Sequence, residues 1–414
     1  MKLLPHILFS FFLCFAAAVS AAELKLTAPP DGAELDTVSP LEHEFLESDA
    51  QRAVVPEKIR IRLENYDKDL AAFKAEQEKA KAEGREVTMR DPTYWADFRG
   101  NDWSDDFMKR YKAENADFRP LTWTVEGEVT DQTVLFSETE DFADPLHTYT
   151  LTNSARPENL KLGVKYFWKV TAKDENGQTV ESDVRTFTTL DRFPRFMSSV
   201  WIMNFRDLGG GVNADGKKVR QGLVYRSAAL HRNAYTKDPR AQSKDEMLYF
   251  FRDVLKLKCE FDLRGVNETQ ARWDAGEPKL EPDFRRINFP MGAYNLKSDG
   301  VKKYLVQIFH TMATEDVFPM FFHCAGGADR TGTVGVMLDG VIGRDDQTII
   351  DQYELTTLCG HTRMRICRLP GILFSNLKEF GPDEPIRVQV VKYLLSIGVP
   401  QEEIDAVHSR LVEE

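Results

Sequence analysis

Cysteine is scarce in this chain, with five residues in 414. So few thiols cannot build a disulfide framework for a chain of this length, and hydrophobic cores must therefore stabilise the fold. No C-x-x-C pair is present either. A redox-active dithiol is poorly supported for that reason, although the sequence leaves open whether Cys359 and Cys367 pair.

Long apolar segments are missing beyond the N-terminus. There Lys2 precedes an apolar run, Leu8–Val19, and the small residues 20–22 follow it. The run is short for a membrane-spanning helix and ends in a pattern typical of signal-peptide cleavage. We predict a Sec-type signal peptide over residues 1–22 and a secreted or periplasmic protein without stable membrane insertion; an uncleaved anchor is the alternative.

The chain also lacks an excess of positive charge, since its formal net charge is −12. An acidic protein repels polyanions, so nucleic acid and anionic membrane surfaces are poor general partners. A local basic pocket could still hold one phosphate group. The hydrophobic content of 42% suffices for globular cores, and the length favours two domains.

Short alternating runs predict an all-β N-terminal domain, residues 23–190. They are separated by polar turns, as in an antiparallel sandwich, and are Leu121–Val125, Thr133–Phe136, Thr148–Leu151, Lys165–Val170 and Val184–Thr189. Residues 160–189 resemble the last strands of an immunoglobulin-like, fibronectin type III domain. Such a sandwich could contact a protein or a glycan.

A charged helical insert is predicted within the sandwich, at about residues 56–115, where Lys, Glu and Ala dominate. Its aromatic residues favour burial against the sandwich over a carbohydrate-contacting patch, because aromatic side chains are mostly buried. They are Tyr94, Trp95, Phe98, Trp103 and Phe107.

From residue 191 to 414, strand-like and helix-like segments alternate, which predicts an α/β domain with a central, mostly parallel sheet flanked by helices. Leu257–Leu263 and Val317–Phe322 read as buried strands. Thr331–Ile342 and Ile386–Ile397 read as helices, and residues 398–405 read as the start of another.

Residues 321–332 carry the clearest chemical signal, a Cys and an Arg six positions apart between a predicted strand and helix. On such a turn the backbone amides can point into one concavity that suits a phosphate dianion. Arg330 would grip two phosphate oxygens, and the positive field would hold Cys324 as the nucleophilic thiolate, without any metal. The other predicted phosphate contacts are Ala325, Gly326, Gly327, Ala328 and Thr331, with His323 orienting the loop.

The spacing alone is weak, because Cys359 and Arg365 share it. That second pair has no strand ending in His before it, and Ile366 stands where Cys324 has Thr331. Context therefore selects Cys324.

Two motifs carry a family resemblance. The loop His323-Cys-Ala-Gly-Gly-Ala-Asp-Arg-Thr-Gly resembles the signature of the protein tyrosine phosphatase superfamily, and Asn204-Phe-Arg-Asp-Leu-Gly-Gly resembles a motif of its bacterial tyrosine/serine and lipid phosphatase branch. Further matches include residues 219–228, residues 261–264 and Glu268. The resemblance implies a cysteine-phosphatase domain over residues 191–414 that hydrolyses phosphomonoesters through a phosphocysteine at Cys324, with no metal or other cofactor.

A leaving alkoxide or phenolate needs a proton, and two aspartates are candidates for the acid. We favour Asp329, which lies inside the loop, an arrangement similar to that of myotubularin-like lipid phosphatases. Its alternative role is to anchor the loop through backbone amides. For Asp262, bracing Arg206 or Arg264 is favoured over catalysis.

Relatives commonly carry lysine where this chain has Ala328, and a lysine there would read further phosphates. Its absence weakens the case for phosphoinositides and other polyphosphorylated substrates, although Arg226, Lys217 and Lys218 could supply charge. We expect phosphotyrosine or another phosphoprotein as the substrate, with inositol, lipid or sugar phosphates as the alternative. These other esters and a catalytically silent phosphate-binding module remain the alternatives.

Overall fold

The computed structural model describes residues 22–47, 75–85, 110–111, 113–114, 117–199, 201–230, 244–280, 282, 284–356, 358 and 370–414. Residues 1–21 of the predicted signal peptide and the five aromatic residues of the predicted insert lie outside these ranges. So do Cys359, Arg365 and Cys367. Within the predicted insert, residues 75–82 are helical.

Within the described residues before Arg195, nine strands form two sheets. They are β1 Glu23–Ala28, β2 Ala33–Leu35, β3 Leu121–Glu126, β4 Val129–Ser137, β5 Leu146–Tyr149, β6 Ser154–Ala155, β7 Lys165–Asp174, β8 Thr179–Glu181 and β9 Arg185–Thr189. One sheet has the order β1-β3-β6, and the other has the order β2-β9-β7-β4-β5, with β8 paired to β7.

The two sheets share one hydrophobic core. Along β7 every second side chain is buried, including Tyr166, Trp168 and Val170, as the alternation in sequence predicts. From the other sheet, Leu26 and Trp123 pack into the same cluster. The predicted strands are therefore present. The pairing of β2 with β9 is parallel, however, so the sandwich is not wholly antiparallel, and the fibronectin type III resemblance stays a prediction.

In the part of the chain that the structure describes, the third sheet has six strands, and its architecture positions the site. They are β10 Arg195–Phe196, β11 Arg206–Asp207, β12 Val224–Ala228, β13 Cys259–Asp262, β14 Arg285–Asn288 and β15 Met320–Cys324, in the order β10-β11-β12-β15-β13-β14. The four strands β12, β15, β13 and β14 are parallel, whereas β10 and β11 are antiparallel. The expected mostly parallel sheet is thus only partly parallel. Because β15 is central and buried on both faces, it reads as a continuous apolar run.

The helices lie mainly in the C-terminal half. Their bounds are Pro40–Glu47, Lys244–Leu248, Val266–Asp274, Asp299–Thr314, Arg330–Ile342, Asp346–Glu354, Ser375–Lys378, Ile386–Ser396 and Gln401–Leu411, with π-helical turns at Tyr249–Val254 and Pro370–Phe374. We call Arg330–Ile342 the loop helix. It is buried along almost its whole length, which explains why its sequence is apolar without a polar face.

The loop helix packs closely against the helix Ile386–Ser396. A Cβ added at Gly340 would come within 2.7 Å of Val390, so only glycine permits this approach. The predicted domain boundary at residue 190 falls between β9 and β10 and stays a prediction. Among the described residues, no helix combines the length and the apolar character that crossing a membrane requires.

Candidate active site

Cys324 is the last residue of β15 and lies at the carboxyl edge of the parallel strands. Across the sheet, Cys324 is paired with Ala228 at the end of β12. The preceding residue, His323, is paired with Asp262 at the end of β13. The carboxyl ends of parallel strands are where ligands bind in open α/β sheets. Residues 325–329 then turn the chain into the loop helix, as the sequence predicts.

Two side chains hold the carbonyls of this turn from behind. Asn204 Nδ2 donates to the carbonyl oxygens of Gly326 and Gly327, at 3.1 and 2.9 Å. The buried Arg226 donates to the Gly327 carbonyl from 3.1 Å. Because these carbonyls are tied to the scaffold, the amides on the opposite side of the turn are left to face a ligand.

Gly327 is required by the backbone of this turn. Its φ is +65°, and an added Cβ would lie 2.4 Å from the carbonyl oxygen of Ser227. Any side chain would therefore collide with β12 as well as strain the backbone. The prediction that glycine permits close approach here agrees with this geometry.

Several amides of the turn have no backbone acceptor. Within the described part of the chain, the N–H groups of Gly327, Ala328 and Arg330 donate to no backbone carbonyl. Unpaired amides this close to a buried strand are uncommon in folded proteins. Together with the start of the loop helix, they supply the hydrogen-bond donors that a bound anion needs.

The thiol of Cys324 is buried, yet its pKa is lowered. Burial acts to raise it, but the hydroxyl and amide of Thr331 and the charge of Arg330 outweigh burial. Cys259, a buried free thiol on β13, shows the opposite outcome, because burial raises its pKa to about 12. Surroundings rather than residue type thus favour the thiolate at Cys324. Both thiols are free, so Cys324 is not held in a disulfide.

Thr331 lies directly beside this sulfur. Its Oγ1 is fully buried and makes no hydrogen bond among the described residues. A buried hydroxyl left unpaired is costly, and here the hydroxyl contributes to the lowered pKa of the Cys324 thiol.

Arg330 is held in place by Glu268, from the helix Val266–Asp274. Its two terminal nitrogens donate to the two carboxylate oxygens at 2.7 and 2.9 Å. The bond to Arg330 lowers the pKa of Glu268, although burial opposes it. This fork-to-carboxylate geometry fixes the plane of the guanidinium. The guanidinium is therefore oriented before any ligand arrives.

The carboxylate of Asp329 contacts Tyr294 instead of capping the loop helix. The side chain makes no capping hydrogen bond, and its Oδ1 accepts from the hydroxyl of Tyr294. Asp329 therefore does not cap the loop helix, and its alternative role of anchoring other amides of the loop stays a prediction. Asp329 is half-buried, next to Arg330 at the mouth of the turn.

Asp262 lies in a network of cations. It accepts from the backbone amide and Nε of Arg264, both at 2.9 Å, and from Arg286 at 2.8 Å. Burial raises its pKa, but the charge of His323 and the bonds to Arg264 and Arg286 outweigh burial and hold it well below the usual range. Of the two predicted bracing partners, the structure places Arg264 beside Asp262. Arg206 instead donates to Asn204 and to Gln352, at 3.0 Å in the second case.

His323 points away from the sulfur and into the sheet. Its Nε2 lies 2.8 Å from a carboxylate oxygen of Glu260, and its Nδ1 lies 3.3 Å from the Cys324 carbonyl oxygen. Burial lowers the pKa of His323, but the charges of Asp262 and Glu260 raise it overall. These contacts suit the predicted orienting role.

Within the described residues, Glu260, Asp262 and His323 are grouped closely enough to serve as metal ligands. The oxygens of Asp262 are already engaged by Arg264 and Arg286. Two cations this close oppose the binding of a third.

Two expectations about charge change with the structure. Ala328 is fully buried, so in this chain its side chain packs in the interior. Arg226 is also fully buried behind the turn, where it donates to the Gly327 carbonyl. The expectation that Arg226 supplies charge to a substrate is therefore wrong. The sequence did not reveal the roles of Asn204, Glu268 and Tyr294, which arise from contacts over 35 to 123 positions.

We call the turn of residues 325–329, together with the Arg330 guanidinium beside Cys324, the anion cradle. No curated protein matches the chain. Residues 199–370, which include Cys324, Arg330 and every side chain described around them, match the model of a tyrosine phosphatase family, and this match supports phosphatase activity in general.

Proposed function

We propose that this chain is an exported cysteine-dependent phosphatase that hydrolyses phosphomonoesters, with phosphotyrosine or another phosphoprotein as the substrate class. The observation that carries the proposal is the position of a buried thiol between a turn whose carbonyls are held from behind and the oriented guanidinium of Arg330, surroundings that lower the pKa of the thiol. A site that only bound phosphate would gain nothing from a thiolate, because its negative charge repels the ligand.

The cradle supplies the elements of phosphoryl transfer. The amides of the turn and the guanidinium of Arg330 bind the non-bridging oxygens and stabilise the charge that spreads over them in the transition state. Glu268 holds Arg330 ready for this task, so little reorganisation accompanies the reaction. Transfer requires the Cys324 sulfur to approach the phosphorus atom from the side opposite the leaving oxygen.

In the first step the Cys324 thiolate attacks phosphorus, the sulfur–phosphorus bond forms, and the bond to the leaving oxygen breaks. The leaving oxygen takes a proton from a general acid, for which we propose Asp329. In the second step the carboxylate accepts a proton from water as the oxygen of that water attacks phosphorus. Inorganic phosphate leaves, and the sulfur departs as a thiolate that Thr331 stabilises.

Asp329 is proposed over Asp262 because of their surroundings. Asp329 is half-buried beside Arg330, whereas Asp262 is fully buried between Arg264 and Arg286. A carboxyl group whose pKa is held well below its usual range carries no proton to donate near neutral pH. Asp262 is better suited to bracing the strand ends.

The decisive experiment compares the wild-type protein with Cys324→Ser on para-nitrophenyl phosphate. Turnover should disappear in the variant, while vanadate or inorganic phosphate should still bind, since the amides and Arg330 remain. In the wild-type protein, acid quenching during turnover should trap one phosphate on the peptide that contains Cys324. Turnover retained by Cys324→Ser would overturn the covalent mechanism.

Substrate class and location are separate parts of the proposal. A panel of phosphopeptides, inositol phosphates and sugar phosphates would decide the first, and hydrolysis restricted to inositol or sugar phosphates would favour the alternative class. Export through the N-terminal segment predicts a mature protein outside the cytoplasm, without residues 1–22. Mass spectrometry of the native protein measures this directly.

A further inference from the structure

Tyr294 is held on the loop helix at two points. Its hydroxyl donates to Asp329 Oδ1, and its backbone amide donates to Thr333 Oγ1 at 3.0 Å. The same Thr333 hydroxyl donates to the carbonyl oxygen of Asp329, also at 3.0 Å. Thr333 therefore ties the backbone of Tyr294 to the backbone of Asp329, while the two side chains meet at their polar ends.

The backbone of Tyr294 is strained to make this contact. Its φ is +65°, in the left-handed region that bulky residues rarely adopt. Strain of this kind persists only where the surroundings determine it, and it concentrates at functional sites. Here the hydrogen bond from the Tyr294 amide to Thr333 and the burial of the tyrosine, which is 8% exposed, hold the conformation.

A second tyrosine extends the contact. The hydroxyl of Tyr353, on the helix Asp346–Glu354, lies 3.3 Å from that of Tyr294. Burial and the neighbouring Tyr353 and Asp329 raise the pKa of Tyr294 above its ordinary value. The phenol therefore keeps its proton through the whole working pH range and remains a hydrogen-bond donor.

We infer that Tyr294 is a positioning residue for Asp329, fixing its carboxyl group so that it protonates the leaving oxygen. This inference rests on the proposed function. With Oδ1 accepting from Tyr294, the proton of the acid form resides on Oδ2. That proton passes to the leaving oxygen as the bond from this oxygen to phosphorus breaks. Without the phenol the carboxyl group loses the hydrogen bond to its Oδ1, and the proton points less often at the leaving group.

The inference predicts selectivity by leaving group. Para-nitrophenolate departs with little help, whereas phenolate from phenyl phosphate needs the proton. Tyr294→Phe should lower kcat on phenyl phosphate by about tenfold and on para-nitrophenyl phosphate by less than about threefold. Because both rates come from one preparation, their ratio is independent of the fraction of folded protein.

Tyr393→Phe is the matched control, since the Tyr393 hydroxyl bonds the carbonyl oxygen of Leu296 in the same loop at 2.9 Å and does not contact Asp329. It should leave the ratio of the two rates unchanged. Thr333→Val, which releases the backbone tie, should change the ratio in the same direction as Tyr294→Phe. This variant also tests the inference if Tyr294→Phe fails to fold.

A double-mutant cycle gives the sharpest result. If Tyr294 acts through Asp329, adding Tyr294→Phe to Asp329→Asn should change the phenyl phosphate rate by less than about twofold. An equal loss on both substrates, or a full additional loss in the Asp329→Asn background, would overturn the positioning role. If either of these two outcomes is found while Cys324→Ser has no turnover, the positioning role of Tyr294 fails and the proposed cysteine-dependent mechanism is still supported.

Discussion

Glu268 and Arg330 form a two-point pair in which each terminal guanidinium nitrogen meets its own carboxylate oxygen. The two residues are 62 positions apart and come from the starts of two different helices. Arg330 therefore does not depend on the substrate for its orientation. Each outer nitrogen gives one N–H to Glu268, so a phosphate must be bound by the remaining N–H groups along the other edges of the guanidinium.

Glu268→Gln should lower kcat/KM on para-nitrophenyl phosphate by about 10- to 100-fold, because the guanidinium loses a carboxylate that fixes its plane. Steady-state kinetics measure this. Glu277→Gln is the matched control, since it breaks a pair of similar length, 2.8 Å, with Arg264 instead of Arg330. An equal loss in both variants would contradict the positioning of Arg330 by Glu268.

Thr331→Val should make Cys324 harder to ionise. The Thr331 hydroxyl lowers the pKa of this thiol, so its removal should move the pH at which iodoacetate alkylates Cys324 to a higher value. The acid limb of the kcat/KM profile should move in the same direction. Thr331→Ser retains the hydroxyl and should leave both profiles in place. Identical alkylation profiles for all three proteins would rule out this role.

Asp262→Asn should destabilise the fold without leaving-group selectivity. The substitution removes a carboxylate from the buried Arg264, which keeps only Glu277, and from the partly buried Arg286, and breaking a buried pair in this way costs about 3–5 kcal/mol. Urea unfolding measures this loss. In contrast, Asp329→Asn should slow phenyl phosphate more than para-nitrophenyl phosphate. Selective slowing in Asp262→Asn instead would reassign the acid to Asp262.

Asp339 predicts a pH-dependent stability. It is buried on the loop helix, its oxygens lack hydrogen-bond partners among the described residues, and burial raises its pKa to about 7, against the charges of Arg344, Arg226 and Arg206. Because the pKa of Asp339 is raised on folding, its contribution to the free energy of unfolding is fully present below about pH 4, the pKa of this group in the unfolded chain. That contribution is lost as the pH rises to about 7.

Relative to the wild-type protein, Asp339→Asn should therefore gain up to about 4 kcal/mol in free energy of unfolding between pH 4 and pH 7, and nothing further above it. Urea unfolding at a series of pH values measures the difference. The exposed Asp316→Asn is the control and should show no such trend. Parallel curves for Asp339→Asn and the wild-type protein would contradict the prediction.

Local patterns in the sequence predicted the elements that build the site. The apolar run before Cys324, the glycines and the helix after Arg330 are each visible within a dozen residues, so β15, the turn and the loop helix could be predicted. The partners of the turn could not. Asn204 contacts Gly327 over 123 positions, and no periodicity marks such a contact.

Tyr294 shows the same limit more sharply. It follows Ala293 in a stretch that the structure leaves outside helices and strands, and its left-handed backbone is unusual for tyrosine. Nothing in residue type or spacing indicated that its hydroxyl would reach Asp329. The parallel sheet was overestimated for a related reason, because β10 and β11 are two residues each and too short to give an alternation signal.

The junction near residue 190 is bridged by buried polar contacts. Arg195 donates to the carbonyls of Leu160 and Asn159, at 2.8 and 2.9 Å, and Gln221 bonds both the amide and the carbonyl of Leu162. A recombinant fragment cut at the predicted boundary would remove two acceptors of the Arg195 guanidinium, the carbonyls of Leu160 and Asn159, and leave its pair with Asp207. Residues 191–414 therefore share buried polar contacts with the residues before them, and a fragment that begins at residue 191 should unfold more readily than the whole chain.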